Sequence, residues 1–312
     1  MRAIIILLSL LFPRDTLSVM FWNVENFFDW RNDSTTVSDE EFTARGERHW
    51  TWKRFQAKAN SFAKAIFWIE EETGRLPDIV GLEEVENAFV LRQLLQKTAL
   101  RKTDYQYVHY DSPDRRGIDV ALLYRSSALE LLDSKPCHLY DADTEMATRD
   151  ILLCMFKRND ETFAVLVNHH PSKYGGAAES EPRRRIAVER LRFLADSLAN
   201  VGIDRIIAGG DFNDTPDNPV FRLLGLTLVP LHRDLNHRGQ GTIKYDGKWD
   251  LIDQIYVSPA LWEENPSMRI LRIPFLLTRD NVHSGEKPLR TYTGPRHTAG
   301  VSDHLPILLV IP

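Results

Sequence analysis

Nine apolar runs of strand length punctuate this chain, and the folds open to it are those that can cover them. They are LSVMFWN (17–23), DIVGLEEV (78–85), YQYVHY (105–110), IDVALLYR (118–125), ILLCMF (151–156), TFAVLVNHH (162–170), RIIAGGDFN (205–213), LIDQIYVS (251–258) and HLPILLVI (304–311). Several are continuously apolar rather than alternating, which predicts strands in sheets covered on both faces. The cover lies between them. Phe55, Ala59, Phe62, Ile66 and Ile69 step by four and three along a helix from about Trp52 to Glu72. Asn87 reads as the cap of a second helix, and a third spans roughly Pro182 to Asn200 with Ala187, Leu191, Leu194 and Leu198 on its inner stripe.

Strands outnumber helices, so the expected architecture is α/β, with two packed mixed β-sheets flanked by helices in a four-layer sandwich rather than one doubly wound sheet. At 312 residues and 43% hydrophobic, the chain can bury so large a core, and no repeat or low-complexity stretch divides it. Its 39 basic and 44 acidic side chains leave a net charge of −5, which excludes the global basic field of a protein that coats nucleic acid. A local basic patch is compatible with that total.

Met1-Arg2 followed by AIIILLSLLF has the single basic residue and short apolar stretch of a secretory signal, and the run is too short to span a bilayer comfortably. Residues 1–16 are therefore expected to be a signal peptide and short leader, residues 17–312 a single domain, and the protein secreted or periplasmic. A buried first strand is the competing reading, but LSVMFWN already supplies one. Cys137 and Cys154 could be bonded in an exported protein or remain two buried thiols. No paired Cys or His spacing beside them suggests a metal site.

Unusual polar residues collect at the ends of the apolar runs. Asn23 and Glu25 close the first, Glu83 and Glu84 the second, and Asn168, His169 and His170 the TFAVLV run. Asp211 and Asn213 close IIAGG, Asp253 sits within LIDQIYVS, and Asp303 with His304 opens the last. Each alone is ordinary turn or cap chemistry. Together they describe a site at one rim of a sheet pair. The set is rich in carboxylates, Asn and His, and it lacks a nucleophile elbow, a Gly-rich phosphate loop or a thiolate cluster. Hard oxygen ligands in this number suit Mg²⁺, with Mn²⁺ or Ca²⁺ as alternatives, rather than zinc. Such an ion can neutralise a phosphoester under attack, while an Asp set against water and a His held by a second Asp complete a metal-assisted hydrolysis.

WNVEN, GLEEVE, VNHHPS, GGDFND, WDLIDQIYVS and VSDHLPI occur in the order found in the endonuclease/exonuclease/phosphatase superfamily, which this chain resembles over residues 17–312. The superfamily includes pancreatic-type deoxyribonuclease, abasic-site exonucleases, inositol polyphosphate phosphatases and bacterial sphingomyelinases. The most specific elements are GDFN and SDHLP, about ninety residues apart with Asp253 to Ser258 between them. The resemblance implies a deoxyribonuclease-like fold and one catalytic domain. Glu84 matches the main metal-binding glutamate, with Glu83 at a position where the family has Gln. Asn23 resembles a phosphate- or metal-contacting Asn. Glu25 matches a position that is often Asp, so its ligation would be indirect, and Asp303 resembles a further metal ligand. Asp211 matches the residue that orients or deprotonates the attacking water, and Asn213 one that helps hold the phosphate. His304 matches the catalytic histidine and Asp253 its orienting carboxylate. His169 corresponds to a second histidine near the phosphate, with a register ambiguity of one residue against His170. Arg149 and Arg116 are candidate phosphate contacts; a surface ion pair of Arg149 with Asp150 or Glu145, and a solvated Arg116 in its Gly turn, are the alternatives.

The shared chemistry does not choose the substrate, so selectivity falls to loops. Residues 29–50 deliver Arg48, His49 and Trp50 close to Trp52, Lys53 and Arg54, either to hold a nucleic-acid strand or to pack the start of the first helix. Residues 277–301 carry Arg279, Lys287, Arg290, Tyr292, Arg296 and His297 into Ser302, and are expected to rim the site and contact substrate. The function expected is divalent-metal-dependent phosphodiester hydrolysis of nucleic acid by an exported endonuclease or exonuclease. It would act as a monomer without a protein partner or stable membrane insertion. A phosphomonoesterase or sphingomyelinase-like lipid phosphodiesterase is the enzymatic alternative. A catalytically silent binding protein is disfavoured because the carboxylate, Asn and His set is intact.

Overall fold

In the computed structural model the apolar runs become strands of two six-stranded mixed sheets. The structure describes residues 16–32, 37–142, 144–173 and 176–312, so the expected leader falls outside the described residues except for Thr16. Numbered along the chain, the strands of the two sheets are β1 (Leu17–Phe27), β2 (Ile79–Val85), β3 (Tyr105–His109), β4 (Asp119–Arg125), β5 (Glu130–Cys137) and β6 (Ile151–Arg158). They continue with β7 (Glu161–His169), β8 (Ile206–Asp211), β9 (Val229–Pro230), β10 (Asp253–Val257), β11 (Ser267–Ile270) and β12 (Ile307–Ile311). The sheet orders are β11-β12-β1-β2-β4-β3 and β9-β10-β8-β7-β6-β5. Only β1 with β2 and β7 with β8 pair in parallel.

Helix α1 (Trp52–Thr73) begins at Thr51, whose side chain accepts from Arg54 N, and ends at Gly74 with φ of 80°. A cap of this kind is worth about 1 kcal/mol. Helix α2 (Ala88–Lys97) is capped by Asn87, as its sequence predicts. Both pack on the outer face of the first sheet. The third helix, α3 (Ala177–Asn200), covers the second sheet and starts ahead of Pro182 rather than at it. Strand parity explains the layers. Met20, Trp22 and Val24 of β1 meet Phe55 and Phe62 of α1, whereas Val19 and Phe21 face Val165 and Val167 of the opposite sheet. Ala187, Leu191 and Leu194 pack on Leu166 and Ala208. The result is the four-layer sandwich expected from the sequence.

Three strands of the two sheets, β5, β9 and β11, carry no apolar run and so stand outside the nine. Each is a sheet edge, where one side of the strand faces solvent and the burial pattern is mixed. Cys137 and Cys154 are both free. Cys154 lies in the core between the sheets and Cys137 in the core under α3, so they project from opposite faces of one sheet and are not bonded.

The two loops also resolve. Trp50 is fully buried, donates its indole N–H to the Phe28 carbonyl at 2.8 Å and packs on Phe42 and Tyr292, so it is scaffold. Arg48 bonds Glu41 and the Gly294 carbonyl, and Arg54 bonds the carbonyls of Arg48 and His49. Residues 277–301 are not structureless: Leu277–Arg279 pairs with Glu286–Pro288, and Tyr292–Thr293 with Arg296–His297. Among the described residues no helix is long and apolar enough to cross a membrane.

Candidate active site

The parallel strands β1 and β2 end at the same rim, and both are broken there by register shifts, after Asn23 and after Glu83. Backbone in the left-handed region marks the breaks: φ is 47° at Glu25, 52° at Asn26 and 65° at Glu84. Side chains at such bulges leave the simple alternation, at a cost of order 1 kcal/mol each. The consequence is visible at the paired glutamates. Glu83 turns wholly into the interior, with neither oxygen hydrogen-bonded, while Glu84 opens onto a cleft of about 260 Å³. Burial, reinforced by the charges of Asp253 and Asp211, holds the Glu83 carboxyl well above the usual range.

Asp211 ends β8 at the centre of that cleft. Its Oδ1 accepts the Asn213 backbone N–H at 2.8 Å, and its Oδ2 accepts the Asn23 amide at 3.0 Å. The preceding Gly210 has φ of 129°, and a Cβ there would lie 2.1 Å from the Asn168 carbonyl, so the turn into Asp211 requires glycine. Burial raises the Asp211 carboxyl to about 7; Asp253 adds to this, while His304, Asn213 and Asn23 oppose it.

The antiparallel pairing of β8 with β10 sets Asp253 directly beside Asp211. Asp253 Oδ2 lies 2.9 Å from His304 Nδ1. Burial alone would lower the His304 pKa, but Asp253 and Asp211 more than offset it and the imidazole is raised well above its ordinary value. Its backbone is fixed as firmly as its ring. His304 N donates to Ser302 Oγ at 2.9 Å, Ser302 Oγ donates to the Asn23 carbonyl at 2.6 Å, and the Trp22 indole donates to the His304 carbonyl at 3.0 Å.

Strand parity separates the two histidines. His169 lines the cleft with Nε2 3.7 Å from Asp211 Oδ2, whereas His170 turns away and packs on Phe212. Asn168 is likewise spent inside, on the carbonyls of Leu166 and Gly209. Burial, with Arg149 and Arg116 nearby, keeps His169 neutral by lowering its pKa well below the ordinary value.

A second group of carboxylates lies across the cleft. Glu84 Oε2 accepts the Asn26 N–H at 2.7 Å and stands 3.5 Å from Arg116, which also bonds the Asn26 side chain. Glu25 Oε1 accepts from Arg290 at 3.0 and 2.8 Å, and its Oε2 accepts Thr291 N–H at 2.7 Å. Arg290 also reaches Asp303 at 3.1 Å. Beneath them Lys58, buried on α1, donates to the Glu25 carbonyl and to Thr291. Burial lowers this ammonium to about 8 against the pull of Glu25 and Glu84.

Asn23, Glu84, Asp211 and Asp303 present hard oxygen donors to one cleft, which fits Mg²⁺, Mn²⁺ or Ca²⁺. Glu25 differs in that its carboxylate is ion-paired to Arg290 and also accepts the Thr291 N–H, which favours an indirect part in metal binding. Arg116 lines the cleft as anticipated. Arg149 does not: its guanidinium is buried on Asp114 at 2.9 Å and on the His170 carbonyl at 2.8 Å, so it braces the scaffold rather than reaching a phosphate or a surface partner. From sequence alone Ser302 and Arg290 belong to a loop and its exit, and Asn26 and Lys58 go unnoticed. A lysine on the apolar stripe of α1 was the one signal available for Lys58.

The family model described as the endonuclease/exonuclease/phosphatase family matches residues 18–312. No curated protein matches this sequence. Among solved structures, D. rerio TDP2 complexed with single strand DNA product is 16% identical, with a TM-score of 0.58 over 96% of this chain and 99% of that one. The human nocturnin catalytic domain with bound sulfate is 17% identical, with a TM-score of 0.57 over 95% and 94%. A mannosyl-6-phosphatase of Bacteroides thetaiotaomicron is 16% identical, with a TM-score of 0.59 over 95% and 100%. At these identities the likeness is one of fold. The match of the family model over nearly the whole described chain carries the assignment, and the chain belongs to the endonuclease/exonuclease/phosphatase family.

Proposed function

We propose that this protein is an exported, Mg²⁺-dependent phosphodiesterase that hydrolyses nucleic acid, acting as a monomer. The observation that carries the chemistry is the line from Asp253 through His304 to Asp211, facing Glu84 and Asp303 across one cleft. A divalent ion bound by Glu84 and Asp303, with Asn23 at hand, would supply charge neutralisation at a phosphate oxygen.

The remaining work belongs to side chains. Asp211 orients a water and accepts its proton as that oxygen bonds to phosphorus and the opposite ester P–O bond breaks, the released alkoxide taking a proton from solvent. The Asn23 and Asn213 amides fix the Asp211 carboxylate, and Asn213 is close enough to share in holding the phosphate. His304, kept charged by Asp253, donates from Nε2 to a phosphate oxygen where negative charge builds. His169 stays neutral and positions the phosphate beside Asp211, and Arg116 faces the same cleft with a guanidinium suited to bidentate contact.

Nucleic acid is favoured over a small monoester by the DNA-bound state of one structural relative and by the basic hairpins beside the cleft. The mannosyl-6-phosphatase relative makes monoester hydrolysis the reading to beat. Purified protein with Mg²⁺ or Mn²⁺ should be offered plasmid and single-stranded DNA, RNA, bis(4-nitrophenyl) phosphate, phosphomonoesters and sphingomyelin. Diester hydrolysis that disappears in His304→Ala and Asp211→Asn is expected. Turnover of monoesters alone would remove the nuclease reading. Export is checked by sequencing the amino terminus of the mature protein, which should begin near residue 17.

A further inference from the structure

Beside the catalytic cleft lies a cavity of about 560 Å³, built by the hairpins at 243–250, 277–288 and 292–297. The two spaces share Ile243, Arg290 and Asp303, so these three side chains stand between them. Five cations line the larger one (Lys244, Arg279, Lys287, Arg290 and Arg296) against a single carboxylate, Asp303, in a protein whose net charge is −5. Three of the five are committed. Lys244 and Lys287 face Asp280 at 3.1 and 3.7 Å, and Arg290 is held by Glu25 and Asp303. Arg279 and Arg296 form no ion pair or side-chain hydrogen bond with the described residues, and both are exposed. The remaining lining includes apolar Ile243, Pro288 and Leu289, and Tyr245 stands 79% exposed at the edge.

An apolar floor, a free aromatic face and two uncommitted guanidiniums match the three parts of one nucleotide. Building on the nuclease reading, we infer that this cavity seats the nucleotide next to the scissile phosphate of a single-stranded substrate. Its base lies on Tyr245 and Ile243, and its own phosphate lies between Arg279 and Arg296. Stacking tolerates any base, and a guanidinium reads phosphate geometry without reading sequence. The site therefore selects a polymer over a monoester while leaving sequence choice open.

The test compares wild type with Arg279→Ala/Arg296→Ala and with Tyr245→Ala on a single-stranded oligonucleotide, on bis(4-nitrophenyl) phosphate and on a bisphosphorylated sugar. Each variant is expected to raise KM for the oligonucleotide about tenfold, the size of one or two charge-assisted contacts or one stacked base, with kcat nearly unchanged. Hydrolysis of the small diester should not change, which also shows that the variants fold. The double-arginine variant should flatten the dependence of oligonucleotide KM on salt. Unaltered oligonucleotide KM in both variants would overturn the inference and leave the phosphodiesterase reading intact. A loss confined to the bisphosphorylated sugar would assign the cavity to a small polyphosphate instead. A wild-type protein inert toward every diester would overturn the function and the inference together.

Discussion

His304 Nδ1 sits 2.9 Å from Asp253 Oδ2, and the pair joins the first residue of β10 to the segment leading into β12. The two strands belong to different sheets, so the dyad exists only when the sandwich is closed. Asp253→Asn keeps the shape and removes the charge that holds the imidazolium. Turnover is expected to fall by about 10²–10⁴, the usual worth of a positioned acid–base group. The pH–rate profile gives the sign. His304 is charged below its raised pKa, so activity is lost as pH rises through that value. Without Asp253 the pKa drops, and the loss must begin at lower pH. A basic limb that does not move would remove His304 from the donor role.

Glu84 and Glu25 stand on neighbouring bulges yet should behave differently toward metal. Glu84 Oε2 accepts one backbone N–H, and the carboxylate lines the open cleft. Both Glu25 oxygens are held by Arg290 and Thr291. In calorimetric titration with Mn²⁺, Glu84→Gln should abolish measurable binding. Glu25→Gln should weaken it by about 10- to 100-fold at most, as loss of an outer-shell partner does. Equal losses would make Glu25 a direct ligand.

Arg116 and Arg149 make a second contrasting pair. Arg149 and Asp114 are both buried, and removing one partner strands the other charge, at a cost of about 3–5 kcal/mol. Arg149→Ala should therefore lower the urea midpoint sharply. Arg116 is 44% exposed and faces the cleft, so Arg116→Ala should raise KM and leave the unfolding curve nearly in place. The reverse pattern would return Arg149 to the phosphate.

Much of this was legible because burial on both faces writes a continuous apolar run, and every strand that carries one was readable. The edge strands β5, β9 and β11 carry no such run, because a half-solvated strand such as ELLDSKPC needs none. The polar residues of the site could be found because each ends a run, where alternation stops. What sequence withheld was direction. Glu83 and Glu84 are the same residue type; the family motif singles out Glu84, and the bulge after Glu83 is the physical reason that Glu84 and not Glu83 faces the cleft. The same holds for Arg149, whose partner Asp114 lies 35 residues away, and for Arg290, which meets Glu25 at the far end of the chain.

The glycines of IIAGGD make the last prediction, because they set how closely the sheets approach. A Cβ on Gly209 would lie 2.4 Å from Phe21 Cε2, and one on Gly81 would lie 2.5 Å from Phe21 Cδ1. The Phe21 ring is thus wedged between two glycines at the sheet interface and is 1% exposed. Gly209→Ala should cost about 1–3 kcal/mol by overpacking. It should also lower turnover, since β8 carries Asp211 two residues further on. Phe21→Leu alone leaves a gap and is destabilising as well. In Gly209→Ala/Phe21→Leu the new methyl takes up space the smaller side chain vacates, so the two costs should sum to more than the double variant loses. Urea unfolding of the four proteins measures that coupling. Additive costs would mean that Phe21 is not what the glycine makes room for.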